Sequence, residues 1–209
     1  MGPLDIRISI DDGHELDFRV LELLEKYKIA DLATFYIAPY NKSVVVMHPV
    51  QVKELAKRAE IGGHTMNHAL LTKLSKDEQV REIIEGKMEL ENIIGKKITK
   101  FAYPKGWFNP ETKDSVKLCG FKEARTMKLT RTSLEGYDEF ELPISFHVRR
   151  RPEYEEQGGV VPAFRNVLKQ AQEKGNGYLG VALHSWEVDR EGLWNSLEKI
   201  FYEIALSRN

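Results

Sequence analysis

Short β-branched or aromatic runs alternate along this chain with longer stretches of helical period. Ile6–Ile10 reads as a strand with Ile6, Ile8 and Ile10 on one face, stopped by Asp11-Asp12-Gly13. From Leu16 to Lys28 the period becomes helical, with Leu16, Val20, Leu23 and Leu24 on one side. Leu32–Ile37 is a second strand, Gln51–Glu60 a helix, and Ile61-Gly62-Gly63 a short buried strand. The clearest helix starts at Ser75, where Ser75 and Glu78 form a capping box. Val80, Ile83, Ile84, Met88 and Ile94 mark its apolar side, and Gly95 stops it. A strand near Ile98–Tyr103, a helix at Glu111–Leu118 with Gly120 as its cap, and a strand at Phe121–Arg125 follow. Phe140–Val148 reads as extended, Pro162–Glu173 as helical, Tyr178–Leu183 as a strand and Glu191–Leu206 as the final helix; Lys128–Gly159 is the least regular stretch.

About seven strands separated mostly by helices predict an α/β fold with a mostly parallel sheet, able to close into a barrel. In such folds the chemistry gathers at the C-terminal ends of the strands. Asp11-Asp12, His64 and His68, Pro104–Gly106, and His184 all follow predicted strands, so these distant segments are expected to meet at one rim.

Composition narrows the function. The 209 residues fit one domain spanning the chain, and 42% hydrophobic with 30% charged residues is ordinary for a globular protein with a sizeable core. Thirty-one basic against 32 acidic residues leave a charge of −1, which gives no electrostatic case for nucleic acid or an anionic membrane. No apolar run approaches the ~20 residues of a membrane helix. The single cysteine, Cys119, excludes an internal disulfide framework or a Cys-rich zinc site and reads as a small core residue. The N-terminus has an acid at position 5 and no long apolar stretch, so no signal peptide is read and a cytoplasmic location is expected.

The candidate chemistry starts with Asp12, His64 and His68. A four-residue histidine spacing on a helical turn would point both imidazoles at one ion, and two histidines with a carboxylate suit zinc or another first-row metal. Gly62-Gly63 just before them suggests close backbone approach at a strand end. The adjacent carboxylates of Asp11 and Asp12 repel each other unless their roles divide, one as ligand and one as base.

These residues carry a resemblance. Ile8-Ser9-Ile10-Asp11-Asp12-Gly13, Ala33-Thr34-Phe35-Tyr36, and Glu60-Ile61-Gly62-Gly63-His64-Thr65-Met66-Asn67-His68 resemble the polysaccharide deacetylase family with its NodB-homology domain. Leu71-Thr72-Lys73-Leu74-Ser75, Phe101-Ala102-Tyr103-Pro104-Lys105-Gly106 and Val181-Ala182-Leu183-His184-Ser185 continue the likeness in order, over roughly residues 5–205. The resemblance implies a distorted (β/α)7-type barrel that removes acetyl groups from N-acetylated sugars with a divalent metal, often zinc. It implies Asp11 as general base, Asp12, His64 and His68 as metal ligands, and His184 as the acid that protonates the leaving amine. The backbone N–H of Lys105 would help hold the oxyanion. We assign Lys105 and Tyr103 to substrate binding, together with Trp107 and Trp186, whose rings fall in rim loops where they could stack on a sugar face.

The chain also departs from that family. Ala102 stands where an arginine usually orients the base, and Lys105 where a tyrosine is usual. The aspartate that tunes the catalytic histidine has no counterpart in Lys128–Glu156, and Ser185-Trp186-Glu187 follows His184. Arg149, Arg150 and Glu187 are the candidates to replace the missing groups. His14 reads as a solvated loop residue, His147 as either a half-buried strand residue or a replacement partner, and Arg149-Arg150-Arg151 as a solvated run. Three functions follow: a metal-dependent deacetylase of a small carbohydrate or amide; a non-catalytic sugar-binding relative retaining a structural metal; and a metal-independent hydrolase of cyclic amides. The oligomeric state is not legible.

Overall fold

The computed structural model describes residues 4–129, 132–174 and 176–208; Met1–Pro3, part of the N-terminus read above as lacking a signal peptide, lie outside them. Strands β1 (Asp5–Asp12), β2 (Ala33–Ile37), β3 (Glu60–Gly63), β4 (Lys100–Ala102), β5 (Glu123–Arg125), β6 (Phe146–His147) and β7 (Tyr178–Leu183) form one parallel sheet. Its order is β5-β4-β3-β2-β1-β7-β6. Helices α1 (Asp17–Lys26), α2 (Pro49–Leu55), α3 (Lys76–Ile94), α4 (Pro110–Leu118), α5 (Pro152–Glu155), α6 (Val160–Gln172), α7 (Ser185–Arg190) and α8 (Trp194–Ser207) connect and cover it. This is the distorted (β/α)7 barrel expected. No helix among the described residues is long and apolar enough to cross a membrane.

The stretch from 139 to 148 draws the two sheet edges together. Its first half bonds to the end of β5, Leu142 N–H to Ala124 O (3.0 Å) and Thr126 N–H to Leu142 O (2.8 Å). Its second half bonds to β7, Ser145 N–H to Gly180 O (2.7 Å) and Val148 N–H to Ala182 O (2.9 Å). The extended reading holds over 142–148, where only Phe146–His147 forms a regular strand, whereas Phe140 and Glu141 belong to a turn closed by Glu141 N–H on Asp138 O (3.0 Å).

Every residue of β2 and of β7 is buried, because parallel strands in a barrel face helices outside and other strands' side chains inside. On β1, Ile6, Ile8 and Ile10 join the apolar core, while the alternate residues Arg7, Ser9 and Asp11 face inward. Two rungs cross the interior from β1 to β5: Arg7 to Glu123 at 3.1 Å, and Asp11 to Arg125 at 2.5–2.6 Å. These strands are not sheet neighbours, so it is the curl of the sheet that brings the side chains together.

Several local expectations shift. The helix after Ser75 has both arms of its capping box and ends at Gly95 with φ +71, but Met88 faces solvent. The helix expected over Glu191–Leu206 begins at Trp194, and α7, unforeseen, precedes it. The positive φ of Gly192 separates the two. His14 is buried rather than solvated: its Nδ1 accepts from Leu16 N–H (3.1 Å), and its backbone bridges to Val46.

Candidate active site

Strand ends place the functional groups. β1 delivers Asp11 and Asp12, β3 delivers His64, β5 delivers Arg125, β6 delivers His147, and β7 delivers His184 at the start of α7. The His64–His68 spacing does not lie on a helical turn. It spans an irregular loop in which Thr65 (φ +64) and His68 (φ +58) are left-handed. That loop is held from below by α3: Met66 N–H donates to Glu82 O (2.9 Å), and Asn67 donates through its backbone (3.0 Å) and side chain (2.7 Å) to the Glu82 carboxylate. A Cβ on Gly86 would lie 2.6 Å from the Thr65 carbonyl carbon, so α3 can approach this closely only at a glycine. At Gly62 a Cβ would meet the Tyr36 ring at 2.5 Å, the close approach that the paired glycines suggested.

Among the described residues, four of the five left-handed non-glycine residues, Asp12 (φ +81), Thr65, His68 and Lys105 (φ +57), sit at this rim. Strained backbone of this kind costs free energy and persists where the surroundings over-determine it, which is common at functional sites.

Asp12, His64 and His68 come together. His64 Nε2 lies 3.6 Å and His68 Nε2 3.4 Å from Asp12 Oδ1, with the two rings 4.8 Å apart. His64 Nδ1 is 2.7 Å from the Ala102 carbonyl, which can only accept, so that nitrogen carries the proton and Nε2 turns a lone pair toward Asp12. Burial pushes the His64 imidazole well below its ordinary pKa against the opposing charge of Asp11, and it pushes His68 down as well. Asp12 Oδ1 is buried without a hydrogen-bond partner. Lone pairs of two neutral imidazoles and a carboxylate converging without a proton between them fit a divalent cation.

Asp11 is a separate unit. Both its oxygens accept from Arg125 Nη2, with both side chains about 95% buried. Burial alone would raise the Asp11 carboxyl; the Arg125 guanidinium, helped by His64 and His184, holds it below the usual carboxylate range. Arg125 thus fills the place beside Asp11 that Ala102 leaves without a cation. Neither Arg149 nor Arg150 fills it: Arg149 pairs with Glu187 at 3.5 Å and Arg150 with Glu155 at 3.4 Å. The available signal was a charged residue ending a buried strand, and the sequence reading placed Arg125 there without a function.

His184 Nε2 lies 4.0 Å from Asp11 Oδ2 and equally 4.0 Å from Asp12 Oδ2, and its side chain is 20% exposed. Its other nitrogen faces Glu187 Oε2 at 3.4 Å, an oxygen that also lies 3.2 Å from His147 Nε2. Arg190 (3.1 Å) and Arg149 (3.5 Å) pair with the second Glu187 oxygen. Burial opposes charge on His184, but Glu187, Asp11 and Asp12 together raise its pKa above the ordinary histidine value. Glu187 itself is held far below the carboxylate range by His147 and His184, despite burial. His147 is buried at 3% exposure and its own pKa is lowered. His147, His184 and Glu187 could also group around a cation. The two arginines on Glu187 already balance its charge, which favours a carboxylate that orients two histidines.

Other assignments divide. Trp107 is exposed at the β4 rim. Trp186 is half-buried, and its indole N–H donates to Asp12 Oδ2 at 2.9 Å. Tyr103 does not face the cleft. It is fully buried, packs edge-on against Phe101 and stacks on Phe108, and its hydroxyl donates to Phe140 O (3.1 Å). An aromatic ring beside a strand end is drawn inward by the area it buries, so Tyr103 is a core residue and the substrate assignment falls. Cys119 is buried near a helix end, as read.

Fold and rim together define a seven-stranded (β/α) barrel that carries a carboxylate–dihistidine cluster at the C-terminal ends of its strands. The polysaccharide deacetylase family model matches residues 3–124, more than half the chain, and the chain belongs to that family. The matched segment holds Asp11, Asp12, His64 and His68 and ends one residue before Arg125. A peptidoglycan-N-acetylglucosamine deacetylase of Bacillus cereus is 32% identical over 120 residues, which cover 56% of this chain and 54% of that protein. The chain therefore aligns with about half the length of this relative. A crystal structure of a polysaccharide deacetylase from Bacillus cereus is 25% identical, with a TM-score of 0.55, over 66% of this chain and 45% of that one. A candidate polysaccharide deacetylase from Mycobacterium smegmatis superposes over 98% of this chain and 84% of its own with a TM-score of 0.74; at 17% identity it speaks to the fold alone.

Proposed function

We propose that this chain is a metal-dependent deacetylase that hydrolyses the acetamido group of an N-acetylated sugar or a related small amide. The observation that carries the reading is the buried, partnerless Asp12 Oδ1 facing the two His Nε2 atoms, beside an Asp11 carboxylate kept ionised by Arg125. Asp12, His64 and His68 would hold the ion, zinc by the chemistry of the donor set. When bound, such an ion supplies a Lewis acid for the acetyl carbonyl and acidifies a water toward a pKa of ~7.

The remaining work falls to the chain. Asp11, below its ordinary pKa and fixed through both oxygens, takes a proton from the attacking water. His184, above its ordinary pKa and partly exposed, holds a proton that it gives to the leaving nitrogen. Glu187, facing Nδ1, keeps its ring turned so that Nε2 faces the two aspartates. The Lys105 N–H at the rim serves the developing oxyanion, and Trp107 offers an exposed face to the sugar.

The non-catalytic reading rested on the missing arginine and aspartate, while the Asp12, His64 and His68 set argues against a metal-independent hydrolase. Arg125 at the end of β5 and Glu187 on α7 answer both absences, which supports turnover. The test joins metal analysis to acetate release from N-acetylated oligosaccharides. We expect about one equivalent of divalent metal per chain, lost in His64→Ala/His68→Ala, and an Asp11→Asn variant that keeps metal but loses ~10²–10⁴ in kcat. Hydrolysis retained in Asp11→Asn refutes the base assignment, and no metal after reloading refutes the site.

A further inference from the structure

Trp186 sits in a rim loop where a sugar-stacking role is the natural sequence reading, yet its polar atom points the other way. The indole N–H donates to Asp12 Oδ2 at 2.9 Å, while Asp12 Oδ1 is the buried oxygen that faces His64 and His68 without a partner. A carboxylate with one oxygen taken by a neutral donor has its plane fixed and presents only the other. That is how hydrogen-bonded neighbours orient the ligands of a metal site.

The indole is held in this position from several sides. His184 lies against it, with ring centroids 5.4 Å apart, and the Arg190 guanidinium lies 4.9 Å over the ring. The preceding residue, Ser185, is fully buried, and its hydroxyl donates to Asp17 Oδ1 at 2.5 Å. Asp17 is the first residue of α1, five positions after Asp12, and is itself fully buried. Burial, with the charges of Asp12 and Asp11 nearby, raises its pKa well above the ordinary carboxylate value. Ser185 and Trp186 therefore tie the loop carrying His184 to both ends of the β1–α1 loop.

We infer that Trp186 is a positioning residue for the metal site: its indole N–H fixes the Asp12 carboxylate so that Oδ1 alone is offered to the ion. This rests on the reading of Asp12, His64 and His68 as ligands. Trp186→Phe keeps the ring and removes only the N–H. Titration with Zn²⁺ against a competing chelator, on the full chain, should show Kd raised ~10–100-fold relative to wild type. Trp107→Phe, at the exposed rim position, should leave Kd unchanged.

A stacking role alone predicts the opposite pattern, with Kd untouched in Trp186→Phe and only KM altered; that result overturns the inference while the metal site stands. A wild type that binds no Zn²⁺ overturns both. Should Trp186→Phe not fold, the wild type decides the matter through ¹⁵N–¹H spectra of its indoles. The Trp186 Nε1–H resonance should move over the first equivalent of Zn²⁺ while that of Trp107 stays, and a Trp186 resonance that stays put refutes the inference.

Discussion

Replacing Arg125 by methionine isolates the cross-barrel pair on which the proposed base depends. The substitution keeps most of the side-chain volume but leaves Asp11, 3% exposed, without its cation. Removing one partner of a buried ion pair costs about 3–5 kcal/mol, because the remaining charge stays desolvated. For a 209-residue chain this corresponds to a fall in Tm of roughly 7–11 °C. The sign of the pH effect follows from the same contact. Arg125 holds the Asp11 carboxyl below its ordinary value against the opposing effect of burial, so without it the base titrates higher. The acidic limb of the kcat/KM profile should therefore move up in pH. At neutral pH the loss should reach ~10² or more, from protonation of the base and loss of its orientation together. Thermal unfolding and acetate release across pH, on wild type, Arg125→Met, Asp11→Asn and the double variant, complete the cycle. The double variant should recover most of the stability and none of the activity. An Arg125→Met enzyme with unchanged Tm and an unmoved acidic limb would show that the pair does not govern the base.

Two other outcomes follow from the site. Glu187→Gln removes the carboxylate that raises the His184 pKa, so the basic limb should move down in pH and kcat at pH 7 fall ~10–100-fold with metal content unchanged; an unmoved basic limb refutes the tuning role. The metal-free chain should lose stability as pH falls below the ordinary histidine value of ~6.5, because His64, His68 and His147 all have lowered folded pKa values and the unfolded chain binds more protons there. Urea midpoints that stay level between pH 7 and 5 would contradict their burial as neutral groups.

What the sequence determined by itself was the order of elements and the groups at strand ends. Period-2 and period-3.6 patterns are local, so β7 over Tyr178–Leu183 and the capped start of α3 are legible from neighbouring residues alone. Asp11, Asp12, His64, His68 and His184 were legible because each ends or follows a strand, and parallel strands deliver their C-terminal ends to one rim. The pattern could not say that His64 and His68 lie on a left-handed loop braced by Glu82, since that depends on where α3 packs. It gave Tyr103 to the substrate, whereas the core took the ring. It left Arg125 without a role because its partner is 114 residues away across the barrel, and that contact exists only once curl and register are set. Trp186 was recast for the same reason, and Glu187, one of three candidates in the sequence, was singled out by it. Their neighbours in space belong to β1 and β6, and tertiary structure alone decides which carboxylate a buried histidine meets and which oxygen of Asp12 is left for an ion.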